Sequence, residues 1–394
     1  MTTTPRRSLR HSLLALAAVA ATAILPAAAT AQTHLRYATG QAPDSIIQVR
    51  AYGPWADMVN AAINGLLDIA HYPPPFAVTT NMWDRVTAGV ADIGIASLNN
   101  TGLPLAASFV VSLPALGNDT EAASVAMWRL YERGLLDPQL DEVKVLGFQA
   151  VMSLVLSGKQ PITRMEDLAG LRVRVTDRNT SNALSLLGAA PTSIPFNEAY
   201  QAIRRGVVDA AIGNGNTMVV FRVRELLSHQ VEGVSFGMTP FAVVMNKADY
   251  EALTPEARAV LDAHSGEFLS RMLGKSQNEL RDEFDADLVG SGNLTKHTLS
   301  EAELARWTET LAPVIATWVA ETPNAQAILD AYLEEYVKVA WGSGRPAPPA
   351  GAGVLRGACR PADKKNPGNA GFPGQVEQGG FTSGRRRIRG PLHR

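Results

Sequence analysis

Cysteine is all but missing from this 394-residue chain, with Cys359 its single representative. One thiol can form neither an intrachain disulfide nor a cysteine metal cluster, so both are excluded within one chain and redox chemistry is not expected. Long apolar runs are equally scarce. After Leu13–Leu25 no stretch is long and apolar enough to cross a bilayer, which points to a soluble mature protein. Catalytic signatures are missing too: the chain has no His-Glu-x-x-His metal motif, no Gly-x-Ser-x-Gly elbow and no Gly-x-x-x-x-Gly-Lys phosphate loop. His34, His71, His229, His264 and His297 are scattered without ligand spacing. No enzyme, cofactor or metal site is therefore expected.

What is present begins with an export signal. Arg6, Arg7 and Arg10 precede the apolar run, and Ala29-Thr30-Ala31 supplies a small-residue cleavage site, so the mature chain is expected to begin near Gln32. Pro5 and the missing aromatic favour Sec over twin-arginine export, with the periplasm as destination. Charge is divided unevenly. The leader holds three basic residues and the segment after Trp341 ten basic against two acidic ones, which leaves the residues between at about −12. An acidic body argues against nucleic acid as a partner, because phosphate attracts basic surfaces. Residues 342–394 are rich in Gly, Pro and Arg without apolar periodicity and read as a disordered tail, in which Arg385-Arg386-Arg387 is a solvated charge run.

Between the ends, short apolar runs alternate with helical patterns, the mark of an α/β fold. Strands are expected at Leu35–Ala38, Leu67–Tyr72 (halted by Pro73-Pro74-Pro75), Asp92–Ala96, Val143–Gly147, Leu171–Val175 and Asp209–Ile212. Thr254-Pro255-Glu256 opens a helix whose apolar spacing runs to Phe284, about thirty residues in one rod. Ser300 and Glu303 form a capping box for another, with Trp307 and Trp318 on its core face.

An internal repeat divides the body. Val86 to Ala96 matches Ile203 to Gly213 with Gly, Val and Asp at one spacing, each copy a helix ended by a glycine, a turn and a buried strand. Ligands of open α/β sheets gather beyond the carboxyl ends of strands. Those ends are Ser97-Leu98-Asn99-Asn100 and Gly213-Asn214-Gly215-Asn216, two rims that would face each other across a cleft. Arg172 and Arg174 leave the same face of an otherwise apolar strand. A salt bridge within the lobe suits Arg172, earlier in the strand. Arg174, at the carboxyl end, can present a planar fork of donors to a carboxylate, which lysine cannot imitate.

The segments Glu166-Asp167-Leu168-Ala169-Gly170-Leu171-Arg172-Val173-Arg174-Val175, Leu187-Gly188-Ala189, Pro195-Phe196-Asn197-Glu198-Ala199-Tyr200 and Gly206-Val207-Val208-Asp209 follow one another in an order that resembles a known family. It is that of the periplasmic binding subunits of tripartite ATP-independent periplasmic (TRAP) transporters, dicarboxylate-receptor (DctP) type, over about residues 35–339. The resemblance implies a two-lobed periplasmic binding protein fold with hinge-crossing segments and a long helix shared by the lobes. It also implies a substrate carboxylate held at Arg174, an aromatic wall at Phe196 and a rim near Ser97. The second arginine of sialic-acid binders falls on Leu154 and their asparagine on Gly213, which disfavours sialic acid.

The candidate ligand-binding set is Arg174, Ser97, Asn99, Phe196, Asn214, Gln149 and Glu198. The expected organisation is a leader over 1–31, a first lobe over 32–157 to which 239–285 return, and a second over 158–238 with 286–341 packed on it. The expected partners are a small organic acid and the small and large TRAP membrane subunits, with no nucleic acid and a monomeric receptor. A ligand-presenting sensory protein on the same fold is the alternative.

Overall fold

The computed structural model describes residues 32–342 apart from residues 64, 152, 176 and 177, so the leader, its cleavage site, Cys359 and the basic tail lie outside the described residues. In chain order the first half holds β1 (Thr33–Ala38), α1 (Gly53–Ala62), β2 (Leu67–Tyr72), α2 (Met82–Thr87), β3 (Ile93–Ser97), α3 (Thr120–Glu132) and β4 (Val143–Val151). Next come β5 (Val155–Gly158), β6 (Arg172–Val175), α4 (Arg178–Leu186), β7 (Ala190–Ser193), α5 (Phe196–Arg204), β8 (Ala210–Gly213), α6 (Gly215–Val220) and β9 (His229–Glu232). The chain continues through β10 (Thr239–Asn246), α7 (Lys247–Ala252), α8 (Pro255–Ala263), α9 (Gly266–Gly290), β11 (Thr295–Thr298), α10 (Glu301–Glu321) and α11 (Ala325–Gly342).

The strands form two sheets. The first has the order β2-β1-β3-β10-β4 and the second β11-β9-β5-β8-β6-β7. In the first, β1 runs parallel to β2 and β3, and β10 is antiparallel to both of its neighbours. In the second, β8, β6 and β7 are parallel and β5 runs against β8. Central strands such as β3 and β8 are buried along their whole length, which is why they read as continuous apolar runs in the sequence.

The chain passes between sheets three residues earlier than the sequence suggests: Val155 already belongs to the second sheet, where Val155–Gly158 pairs with β8. It returns between β9 and β10, in the segment that holds Gly233 and Gly237, both at positive φ. A second correction concerns the end of the body. Helix α10 packs on the second lobe through α4, but α11 turns back onto α3 of the first, so residues 286–341 are shared between the lobes. The cause is apolar: Ile328, Leu329, Tyr332, Leu333 and Tyr336 are buried among Ala122, Val125, Ala126 and Leu130 of α3. Tyr336 Oη accepts a hydrogen bond from Asp119 N at 2.8 Å, at the start of α3.

The expected thirty-residue rod is two helices. Thr254 caps α8 by accepting from Ala257 N at 3.2 Å. The helix then stops at His264, Ser265 is extended, and Gly266 restarts it at φ +68°, a left-handed value that apolar periodicity does not register. The second piece, α9, is the helix that touches both lobes, packing on α3 and β4 on one side and α6 on the other. Trp307 is fully buried as expected, and Trp318 donates from Nε1 to Ala106 O at 2.9 Å.

Candidate ligand-binding site

The repeat read from sequence is a repeat in space. Gly89 and Gly206 take φ values of +66° and +70°, each just after a helix. Beyond them Asp92 N donates to Arg36 O at 3.0 Å and Asp209 N to Arg172 O at 2.9 Å, so β1–β3 and β6–β8 share one register. Their side chains repeat the pairing. Arg36 Nε donates to Asp92 Oδ2 at 3.0 Å and Arg172 Nε to Asp209 Oδ2 at 2.9 Å. The Asp92 carboxyl lies below the usual carboxylate range even though burial alone would raise it, because the Arg36 guanidinium and N–H hold its charged form. Arg172 is thus the lobe-stabilising member of its pair.

Carried two residues on, the register sets Arg174 where β1 has Ala38. Both positions are fully buried. Arg174 Nε donates to Ile194 O at 2.7 Å and Nη1 to Ile212 O at 3.1 Å, two carbonyls at the carboxyl ends of neighbouring strands that fix the plane of the guanidinium. Phe196 covers it, with Cζ of Arg174 3.7 Å from the ring centroid, and Phe221 stacks on Phe196 at 5.5 Å. Phe196 fits there because Gly213 lacks a side chain: a Cβ on Gly213 would stand 2.5 Å from Phe196 Cζ.

The same register makes Ser97 and Asn214 equivalent, each the residue before a short helical turn. Asn214 Oδ1 accepts from Thr217 N at 2.9 Å, while Ser97 makes no such cap. Ser97 stands opposite Phe241, and Phe241 opposite Gln149, so the three form one row across β3, β10 and β4 on a single face of the first sheet. Tyr52 Oη donates to Gln149 Oε1 at 2.7 Å. That leaves Gln149 Nε2 buried without an acceptor among the described residues.

Beside this row lies a cavity of about 410 Å³ between the lobes. Its first-lobe wall includes Ile95, Val151, Phe241 and Tyr52, α9 contributes Gln277, Leu280 and Phe284, and the second lobe contributes Asn214. Of the seven residues proposed from sequence, Asn214 lines the cavity, while Ser97 and Gln149 lie in one row with Phe241, which lines it, without lining it themselves. Arg174 and Phe196 sit behind Asn214, next to its strand end, rather than in the cavity wall. Asn99 and Glu198 are exposed, on a 3-10 turn and in the first turn of α5, and neither lines the cavity. The sequence reading passed over Thr39, Gln41, Ser45, Tyr52 and the α9 residues. Thr39 follows the carboxyl end of β1, so the rule that selected Ser97 would have selected it as well.

Two α/β lobes joined by crossing segments, sharing a long helix and enclosing a cavity, define a binding protein that holds a solute between its halves. The comparisons place the chain more closely: residues 38–322 match the model of bacterial extracellular solute-binding protein family 7 (DctP), and the chain belongs to that family. The C4-dicarboxylate-binding periplasmic protein DctP of Rhodobacter capsulatus is 29% identical over 161 residues, 41% of this chain and about half, 48%, of that protein. The outer membrane transporter protein TsaT of Comamonas testosteroni is 24% identical over 326 residues, covering 80% of this chain and 96% of its own length. A TRAP solute-binding protein from Rhodoferax ferrireducens, solved with copurified benzoate, superposes with a TM-score of 0.69 at 24% identity, over 79% of this chain and 100% of its own. Another, from Desulfovibrio salexigens, reaches a TM-score of 0.71 at 25% identity, covering 78% of this chain and 97% of its own. Proteins of this family are periplasmic receptors that work with membrane permease components, and this chain is a solute-binding protein rather than an enzyme.

Proposed function

We propose that the protein captures a small organic carboxylate between its lobes, with Arg174 as the cation that grips it, and delivers it to the small and large subunits of a TRAP-type secondary transporter. The observation that carries this reading is the exchange of Ala38 for Arg174 at one position of the repeat. The lobes solve the same structural problem with the partly exposed Arg36–Asp92 and Arg172–Asp209 pairs, so that shared pairing has no need of the buried Arg174 guanidinium in one of them. Relatives of similar fold were solved with benzoate, with (R)- and (S)-mandelate and with β-D-galacturonate, all carboxylates.

Arg174 lies beneath Phe196 and outside the cavity wall, so a ligand in the cavity meets the guanidinium only when the cleft opens, with the ring kept on the face of the guanidinium. Closure then follows from contacts made to both lobes at once, because a ligand moves an equilibrium only as far as it prefers one state. Ser97, Gln149 and Asn214 are the polar partners of the remaining ligand oxygens, with Gln149 Nε2 the buried donor. We assign the leader to Sec export with cleavage near Ala31-Gln32, and a monomer as the working receptor.

Calorimetric titration of the mature protein with a panel of carboxylates tests the assignment. Arg174→Lys is expected to weaken the best ligand by about 1.5–3 kcal/mol, the value of a charge-assisted hydrogen bond lost when a planar fork becomes a point charge. Unchanged affinity in a variant that melts normally would remove Arg174 from the site.

A further inference from the structure

We infer that the solute carries a single carboxylate on an otherwise uncharged body with an apolar face, so that an aromatic or branched aliphatic monocarboxylic acid fits and a dicarboxylate does not. The inference rests on the carboxylate reading above and adds what the rest of the cavity selects.

Among the described residues lining the 410 Å³ cavity, none carries a formal charge. Ile47, Ile95, Val151, Phe241, Leu280 and Phe284 make up its apolar part, built entirely from the first lobe and α9, and Thr39, Gln41, Ser45, Thr79, Gln277 and Asn214 belong to its polar part. Charges near that wall in sequence are spent elsewhere. Arg50 and Glu283 pair with each other across the gap between the segment before α1 and α9, and both are about half exposed. His71, behind Thr39, is held neutral at neutral pH because burial lowers its pKa from 6.5.

The polar groups of the wall are partly committed as well. Thr39 Oγ1 donates to Gln48 Oε1 at 2.9 Å, Tyr52 Oη donates to Gln149 Oε1, and Asn214 Oδ1 is taken by Thr217. A second carboxylate in this cavity would lose its water and find no counter-charge. An apolar ring or branched chain loses nothing there and gains burial.

Titrate the mature protein with benzoate, phenylacetate and 4-methylpentanoate, and with succinate and malate. The expected result is at least about tenfold tighter binding of the best monocarboxylate than of any acid in the second group. A dicarboxylate that binds as tightly overturns this inference and leaves carboxylate capture standing. If no acid binds, the functional reading itself falls. A reciprocal test sets a cation in the apolar wall: Phe284→Lys should weaken benzoate and strengthen succinate, each about tenfold or more. Thr79→Lys serves the same purpose from another part of the wall should Phe284→Lys fail to fold. Unchanged selectivity in a folded variant would show that the wall does not meet the solute.

Discussion

At the scale of single residues, Arg174 is held by its neighbours as much as by its place in β6. Two carbonyls set its plane, Phe196 covers it, and Phe196 in turn occupies the space that Gly213 leaves open. The glycine thus acts on the guanidinium through the ring. Gly213→Ala would put a Cβ 2.5 Å from Phe196 Cζ and push the ring off the guanidinium. The contact between a cation and an aromatic face is worth about 0.5–2 kcal/mol, so ligand affinity should fall roughly 2- to 30-fold. The measurement is a titration beside Arg174→Lys, and an affinity equal to the parent's would show that Phe196 does not position Arg174. The two arginines of β6 also show how far a strand pattern reaches. Alternation put Arg172 and Arg174 on one face and strand position told them apart, but the Asp209 partner and the Phe196 cover come from elements 20 or more residues away.

Helices α3 and α9 show the same dependence at the scale of elements. Asp119 caps α3 by accepting from Glu121 N and Ala122 N, which any reading of the sequence could anticipate. The contact with α9 could not be anticipated. Thr120 Oγ1 donates to Gly274 O at 2.7 Å, Asn278 Nδ2 donates to Asp119 Oδ1 at 2.8 Å, and Asn278 is fully buried between the helices. Gly274 lets the backbones approach so closely that a Cβ there would lie 2.5 Å from Thr120 O. Helix propensity alone predicts that Gly274→Ala stabilises the protein by roughly 0.8–1 kcal/mol. The obstructing atoms belong to the α3 backbone, so overpacking should win, with a net loss of about 1–3 kcal/mol. Gly290→Ala at the end of the same helix meets nothing within 4 Å and should be neutral or mildly stabilising. Thermal melts of the two variants decide it: a higher Tm for Gly274→Ala would mean that α3 and α9 do not pack this tightly in solution.

For the whole molecule, the two sheets are coupled by the crossings between β4 and β5 and between β9 and β10, and by α9. Stability should depend on pH through partly buried imidazoles on both sheets. Burial lowers the pKa of His71 on β2 and of His229 on β9 from 6.5, and neighbouring His297 adds to the effect at His229. Below about pH 6.5 the unfolded chain takes up protons that the folded chain still refuses, so stability rises with pH across that window and is lost on acidification. The expected outcome is a lower Tm at pH 5.5 than at pH 7.5, with the difference reduced in the His71→Phe, His229→Phe double variant. An undiminished difference would place the acid sensitivity elsewhere.

What the sequence determined by itself was whatever short-range chemistry encodes. The α/β alternation, six of the eleven described strands and the Gly-Val-x-Asp repeat follow from apolar periodicity and turn residues, and strand position alone singled out Arg174 and the rims at Ser97 and Asn214. Tertiary structure alone decided which segments share a lobe. Val155–Gly158 joins the second sheet and α11 returns to the first lobe because pairing and burial are settled between segments far apart in the chain. It also decided the cavity wall, since Tyr52, Phe241 and Phe284 meet there only after β1, β3, β4 and β10 have paired and α9 has crossed between the lobes. A periodic pattern shows which face of an element is apolar, but what that face meets depends on contacts between distant parts of the chain, which no local window contains.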